Sequence, residues 1–461
     1  MKKIIITIED LFDLPTSVIY NPDAYKSASR VIIDSRKIQK GDLFVAIKGL
    51  KLDGHDFVFE AIKNGACAIL INSNRLKKFN SLKIPIVTVK NTTPAYGKLA
   101  NHWRNKLNAK VISITGSNGK TTTKEMIASL LNSKFVVTKS EANNNNHIGV
   151  PLTILSADEK CEALILEQGT NHFGEISYSA RISEPDIALI TNIGDSHLEF
   201  LKNRKGVYKE KSALFDETQK NNGVLLINTD DPILRKETKK YKNRITFGFF
   251  GKPDIKGKLI TTLEGKPKIE ISYKGNSFST TLPVYGKSNA KNFLAASAAA
   301  LMFGMNGKEI VNAAKNIANV KGRLEVKNYS KAVLINDTYN SSPISVQAAY
   351  ELVNDIKKFK QKIVVLGDMF ELGKQSVKLH KGLSEIFKNN KNLFVLTIGN
   401  LMPHLTTELR KRNIKSIHFH LREALALYLK YEEIDNSVIL VKGSRGMMME
   451  EFVNILKTRF E

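Results

Sequence analysis

The chain has 461 residues, enough for about three domains, with 70 Lys and Arg against 45 Asp and Glu and a formal net charge of +25. The basic residues are mostly lysines scattered along the whole length, with little aromatic interleaving. That pattern argues for a solvated lysine-rich surface and an anionic metabolite as partner, and against a nucleic-acid footprint. Two cysteines, Cys67 and Cys161, exclude a disulfide scaffold, and no apolar run is long enough to span a bilayer, so a soluble cytoplasmic protein without membrane insertion is expected.

Residues 1–105 read as a first, small mixed α/β unit. Residues 4–8 predict a strand and Ile8-Glu9-Asp10-Leu11 a helix start. Further strands are expected at 30–34, 41–47, 68–71 and 86–89, with a helix over 56–64 that stops at Gly65. Two places in this unit carry chemistry. Asp34-Ser35-Arg36 follows a strand, where Ser35 and Arg36 could hold a diphosphate. Asp53-Gly54-His55-Asp56-Phe57 precedes a helix, where Asp53 and His55 could face a base or sugar. Taken alone, each such stretch is more often plain loop chemistry.

A helix over 94–107 leads into residues 111–124, V-I-S-I-T-G-S-N-G-K-T-T-T-K. A β-branched run, a glycine turn and a helix start in that order make a phosphate-cradling loop, because backbone N–H groups and the helix dipole converge on an anion. Gly116, Ser117, Asn118 and Gly119 form the turn. Lys120 would reach the β- and γ-phosphates, the Thr121 hydroxyl would bind Mg2+, and Thr122 continues the helix. The glycines are three apart, where the usual nucleotide loop has five.

Asparagines 143–146, followed by His147 to Pro151, read equally as a substrate-facing turn or a plain loop. The apolar strand 163–166 ends in Glu167-Gln168-Gly169-Thr170-Asn171-His172, and the strand 187–191 ends in Asn192-Ile193-Gly194-Asp195-Ser196-His197. Polar residues at the carboxyl ends of neighbouring strands are where open α/β sheets bind ligands, so Glu167 is read as a second Mg2+ ligand and His197 as a metal or substrate ligand. Residues 205–214 predict a helix carrying Lys209 and Lys211. Asp230-Asp231-Pro232 reads as a helix cap, and 258–284 as a β-meander insert. Asn289 and Asn292 open an alanine-rich helix, where they could cap it or read an adenine edge.

From about residue 321 strands and helices alternate, with strands at 332–336, 362–367, 393–398, 416–420 and 437–443, which predicts a doubly wound sheet. The units are therefore 1–105, 106–320 and 321–461. Strand ends again hold polar groups: Asp337-Thr338-Tyr339-Asn340, Gly367 to Gly373, and Lys442-Gly443-Ser444-Arg445-Gly446.

Taken together, T-G-S-N-G-K-T-T, E-Q-G-T-N-H at 167–172, N-I-G-D-S-H at 192–197, G-R at 322–323, D-T-Y-N-S-S-P at 337–343 and G-D-M-F-E-L-G at 367–373 resemble the Mur ligases, ATP-dependent amide-forming enzymes of peptidoglycan precursor synthesis. The short glycine spacing is that family's form. The resemblance implies a UDP-binding first domain, a central P-loop ATPase domain with a β insert, and a C-terminal Rossmann-like domain, all in an α/β monomer. It implies Lys120 on the ATP phosphates, Thr121 and Glu167 on one Mg2+, and His197 on a second. It implies a carbamate on Lys211, formed with CO2, with Lys209 as the competing position. Asn289 and Asn292 would face adenine, Arg323 a phosphate, and Asp337 and Asn340 the nucleotide. Position 288 is serine where the family often has histidine, and Phe370 stands where leucine is more usual. The D-S-R and D-G-H-D-F stretches, Asn171-His172 and E-L-G favour the branch that joins D-alanyl-D-alanine to UDP-MurNAc-tripeptide through an acyl phosphate. On that reading Ser35, Arg36, Asp53, His55, Asn171 and His172 contact the UDP-linked substrate. The alternatives are a family member adding the third amino acid, a folylpolyglutamate-type ligase (which lacks the first domain), a nucleic-acid-binding ATPase, and a silent ATP-binding module.

Overall fold

The structure is a computed structural model that describes residues 5–261, 265–387 and 390–461. Three sheets follow one another along the chain. The first holds β1 (Val18–Tyr20), β2 (Val31–Ile32), β3 (Leu43–Val45), β4 (Ala68–Asn72) and β5 (Ile86–Val89), in the order β1-β5-β4-β3-β2. Strands β2 to β5 are parallel, and β1 joins β5 antiparallel. The strand expected at 4–8 is not formed as such. Residue 4 lies outside the described residues, Ile6 makes a single bridge to Ala28, and Ile8 already begins the helix Ile8–Phe12. Thr7 and Asp10 cap that helix reciprocally, which ends any strand there.

The helix Thr92–Lys106 joins the first sheet to the second. Its Tyr96, Leu99 and Trp103 sit in one continuous apolar core that runs from Ile6 and Leu11 to Val111, Leu164 and Leu166. The Trp103 indole N–H donates to the Ala157 carbonyl at 2.8 Å, so even its polar edge is satisfied in the joint.

The central sheet has nine strands: β6 (Lys110–Thr115), β7 (Val137–Lys139), β8 (Ala163–Glu167), β9 (Ile187–Ile190), β10 (Val224–Asn228), β11 (Arg244–Gly248), β12 (Ile255–Thr261), β13 (Pro267–Tyr273) and β14 (Asn276–Thr281). Their order is β14-β13-β12-β11-β10-β9-β6-β8-β7. The meander expected as an insert extends this sheet: β12 pairs parallel with β11 through Phe247 and Ile255 before β13 and β14 return antiparallel. The helix Lys287–Phe303 packs its alanines against the helix Lys120–Leu131 within one core, and small side chains allow that close approach.

The third sheet comprises β15 (Glu325–Asn328), β16 (Ala332–Asp337), β17 (Gln361–Gly367), β18 (Leu393–Ile398), β19 (Lys415–Phe419) and β20 (Ser437–Lys442), in the order β15-β16-β20-β17-β18-β19. It is parallel except for the edge strand β15, and apolar cores cover both faces, as a doubly wound sheet requires. No helix among the described residues is long and apolar enough to cross a membrane.

Candidate active site

Strand β6 delivers the glycine loop. Gly116 has φ +150°, and a Cβ there would lie 1.9 Å from the Thr191 hydroxyl. Gly119 has φ +84°, with Asn292 Oδ1 2.5 Å from where its Cβ would be. Both positions need glycine for conformation and for space. The end of β9 fixes the loop from the side. Ser117 N–H donates to the Asn192 carbonyl at 3.0 Å and Asn118 N–H to Asn192 Oδ1 at 3.1 Å. Lys120 begins the following helix and folds its ammonium back to the Gly116 carbonyl at 2.8 Å, over the cradle. Burial pushes the Lys120 ammonium below the usual lysine range, and Glu167 pulls it back.

The next residue makes the contact on which the site depends. Thr121 Oγ1 donates to Glu167 Oε1 at 3.1 Å, so the helix start after β6 meets the end of β8. Asn145, from the asparagine run, donates to the same oxygen at 3.1 Å. Glu167 is buried, its other oxygen has no hydrogen-bond partner, and Lys124 Nζ stands 3.9 Å away. A buried carboxylate with an unused oxygen beside a threonine hydroxyl fits a hard divalent cation that completes its shell with phosphate and water oxygens. Among the described residues no three His, Cys, Asp or Glu side chains gather for a metal, so this donor set depends on its substrate.

His197 caps the short helix Leu198–Leu201 at φ +51°, and its Nδ1 lies 2.7 Å from Glu371 Oε2 of the third unit. The imidazole holds the Glu371 carboxyl below the usual range. A carboxylate at one ring nitrogen leaves the other free to bind a metal, so the pairing is compatible with a ligand role. The sequence marks Glu371 only as part of G-D-M-F-E-L-G, with no role of its own.

Lys211 lies on the helix Arg204–Lys220. It is fully buried, and its Nζ has no hydrogen-bond partner. Burial pushes its ammonium well below the usual lysine range; Lys120 pushes the same way and Glu210 opposes. The competing Lys209 is exposed and stands over the Phe173 ring at 5.9 Å. A neutral, orphaned amine is what carbamate formation needs, and Lys211 fits it where Lys209 does not.

The third unit closes onto this loop. Arg323 stacks on the Tyr339 ring at 4.1 Å and donates to Thr121 Oγ1 at 3.0 Å. The Ser342 hydroxyl donates to Asn118 Oδ1 at 3.0 Å. A cavity of about 1090 Å³ opens between the two units, lined by Ser117 to Thr122, Glu167, Asn171, His172, His197, Asn289, Asn292, Arg323, Asp337 and Asn340. Several of these spend their polar atoms on the protein. Asn289 is buried and donates to the Tyr285 carbonyl, and Asn292 donates weakly to Asn289. Asp337 receives the Leu324 N–H and the Lys442 ammonium, the latter at 2.5 Å, and Asn340 Oδ1 receives the Ser341 N–H. Asp337 thus fixes Lys442 between two strand ends, which narrows the direct nucleotide contact expected of it.

The residues expected to hold the UDP moiety divide. His172 is exposed at the cavity and stacks on Phe200 at 4.4 Å, with Asn171 beside it. Ser35, Arg36, Asp53 and His55 do not line the cavity; among the described residues the first unit reaches it only through Leu50. Arg36 forks onto Asp34 and leaves its guanidinium exposed. Ser35 donates to Glu60 at 2.8 Å. His55 is buried, with Nδ1 on Asp53 at 2.6 Å and Nε2 accepting the Asn72 N–H at 2.9 Å. Both its nitrogens are taken, so the expectation that its ring faces a base or sugar gives way to a role in holding the loop.

Comparison with known proteins follows the same lines. Residues 28–104 match the catalytic domain of the Mur ligase family, 114–300 the Mur ligase middle domain, and 322–445 the Mur ligase glutamate ligase domain. The chain is 33% identical to the UDP-N-acetylmuramoyl-tripeptide--D-alanyl-D-alanine ligase of Bacillus subtilis (strain 168), with 98% of each chain covered. It is 31% identical to the ligase of the same name from Escherichia coli (strain K12), again over 98% of each. The structure superposes on MurF from Acinetobacter baumannii with a TM-score of 0.88 at 27% identity, covering 99% of this chain and 100% of that one. It also superposes on the MurF ligase from Thermotoga maritima in complex with ADP, with a TM-score of 0.82 at 30% identity, covering 94% and 97%.

Proposed function

The chain belongs to the Mur ligase family, and we propose that it is the ATP-dependent ligase that joins D-alanyl-D-alanine to UDP-N-acetylmuramoyl-tripeptide in peptidoglycan precursor synthesis. The full-length likeness to ligases of that name supports the reaction, and the relative solved with ADP supports ATP as the phosphoryl donor. The observation that carries the chemistry is the 3.1 Å contact between Thr121 and Glu167, which joins the helix start after the phosphate loop to the end of β8. We divide the molecule at 105/106 and 320/321 into substrate, ATP and closing units, and take it to act as a cytoplasmic monomer.

In this reading the terminal carboxylate of the tripeptide attacks the γ-phosphorus of ATP, the bond to the β-phosphate oxygen breaks, and ADP leaves. The amine of D-alanyl-D-alanine then attacks the acyl phosphate, loses a proton, and expels inorganic phosphate from the tetrahedral centre. The loop N–H groups cradle the phosphates and Lys120 neutralises the charge in transfer. Arg323 leaves Thr121 to meet the same phosphates from the third unit. Thr121 and Glu167 would hold one Mg2+, and His197 together with carbamylated Lys211 would support a second. Such ions, when bound, neutralise phosphate charge and align the reacting oxygens. The closed third unit keeps water from the acyl phosphate, which would otherwise hydrolyse.

The reaction is tested by incubating the protein with ATP, Mg2+, UDP-MurNAc-tripeptide and either D-alanyl-D-alanine or single amino acids. A UDP-MurNAc-pentapeptide mass with the dipeptide is expected. Product only with a free amino acid would assign the chain to another branch of the family.

A further inference from the structure

Lys124, Lys211 and Lys442 are all but fully buried. Lys211 has a part in the reaction proposed above, and Lys442 is spent on Asp337 and the Asn340 carbonyl. Lys124 has neither account. It lies one helical turn beyond Lys120 on the same helix, and its ammonium donates to the carbonyl of buried Ser140. Glu125 Oε1 stands 3.0 Å from the same ammonium, and the other Glu125 oxygen takes Lys139.

This arrangement bears on Glu167. Lys124 Nζ is 3.9 Å from Glu167 Oε2, the oxygen with no hydrogen-bond partner. That is beyond hydrogen-bond reach, so the lone pairs of the oxygen stay open, but it is well within Coulombic range for a buried pair. Ser140 holds both sides of the relation. Its carbonyl tethers Lys124, and its hydroxyl accepts the Glu167 N–H at 3.0 Å. Lys124, Lys139, Glu125 and Glu167 make a group of two cations and two carboxylates, neutral by itself. Such a donor set gives a lone divalent cation little charge to bind. A nucleotide's phosphates supply the missing negative charge and give Lys120 and Arg323 an anion to meet, whereas Lys124 stays tethered beside Glu167.

We propose that Lys124 is a fixed counter-charge to Glu167, which keeps the site from holding a divalent cation until nucleotide phosphates arrive and so makes metal binding contingent on the nucleotide. The inference rests on the reading of Thr121 and Glu167 as donors to one metal ion. Lys124 touches neither substrate nor metal in this role; it acts through Glu167.

The test measures Mn2+ retained with the protein on ultrafiltration, with and without a non-hydrolysable ATP analogue. Native protein should retain Mn2+ together with the analogue and little without it. K124M, which keeps the apolar stem and loses the charge, should bind Mn2+ about 10-fold tighter than native in the absence of nucleotide, the direction set by removing a unit charge a few ångströms from a buried site. K124Q, which can still donate to the Ser140 carbonyl, should show the same gain, and K124R should stay at the native level. The gain should vanish in the double variant K124M/E167Q, which locates it at Glu167. Damage to the fold weakens a metal site, so a gain separates a counter-charge from a merely structural lysine, and a thermal melt identifies the variants that fold. The role of Lys124 is overturned, with the reaction left standing, if folded K124M or K124Q binds Mn2+ no tighter than native, if K124R gains as much, if the gain survives E167Q, or if native protein holds Mn2+ as firmly alone as with the analogue. If native protein retains no Mn2+ even with the analogue, the metal site itself fails and the inference falls with it.

Discussion

Replacing Lys120 by alanine should lower ADP formation by about 10²- to 10³-fold, the usual consequence of removing a preorganised charge from a transition state. The geometry makes this loss specific. Lys120 is the first residue of its helix, its ammonium lies over the loop carbonyl of Gly116, and burial and the facing Glu167 hold it there. The helix itself is built from Met126, Ile127, Leu130 and Leu131 in the central core, none of which the substitution touches. K120A should therefore fold normally and fail in kcat. Coupled-enzyme measurement of ADP release, alongside a thermal melt, checks both halves, and native turnover in a well-folded K120A would contradict the assignment.

Lys211→Ala should cost about 10²-fold in turnover, and added acetate or another short carboxylic acid should restore part of it. Lys211 is fully buried and unpartnered, so as an ammonium it would carry an uncompensated charge in the protein interior, at a cost of several kcal/mol. Its depressed proton affinity leaves the amine neutral at a pH where an exposed lysine is charged, and only the neutral form adds CO2. As pH falls far enough to protonate it, the carbamate and the activity should be lost together. In the alanine variant the emptied space admits a free carboxylate to the same position. Full activity without added acid would remove the carbamate role, and Lys209→Ala should behave like a surface substitution.

Much of this site is legible in the sequence because strand ends write it in short strings. T-G-S-N-G-K-T-T at the end of β6, Glu167 at the end of β8 and His197 beyond β9 can each be placed from an apolar run followed by polar residues. What the string does not carry is which polar atoms the fold consumes. Asp368 stands in a conspicuous motif, yet its carboxylate receives the Asn400, Leu401 and Met402 N–H groups at the start of the helix Met402–Lys411. His55 is likewise spent on Asp53 and Asn72. Partners far apart in the chain are equally silent: nothing local announces that Glu371 meets His197 or that Arg323 meets Thr121. The edge strands β1 and β15 are not legible in the sequence, because both are short and half-exposed, without the apolar run that marks an interior strand. The meander reads as an insert because its turns dominate its pattern, while its continuity with the central sheet, through the pairing of β11 with β12, depends on a register that no local string encodes.

In the proposed reaction, loop, strand ends and closing unit converge on one triphosphate, so that a substrate carboxylate attacks its terminal phosphorus. With both oxygens of the tripeptide's terminal carboxylate labelled with oxygen-18, mass analysis after a complete turnover should find ADP together with inorganic phosphate carrying a single heavy oxygen; unlabelled phosphate, or heavy oxygen in AMP, would rule this reaction out.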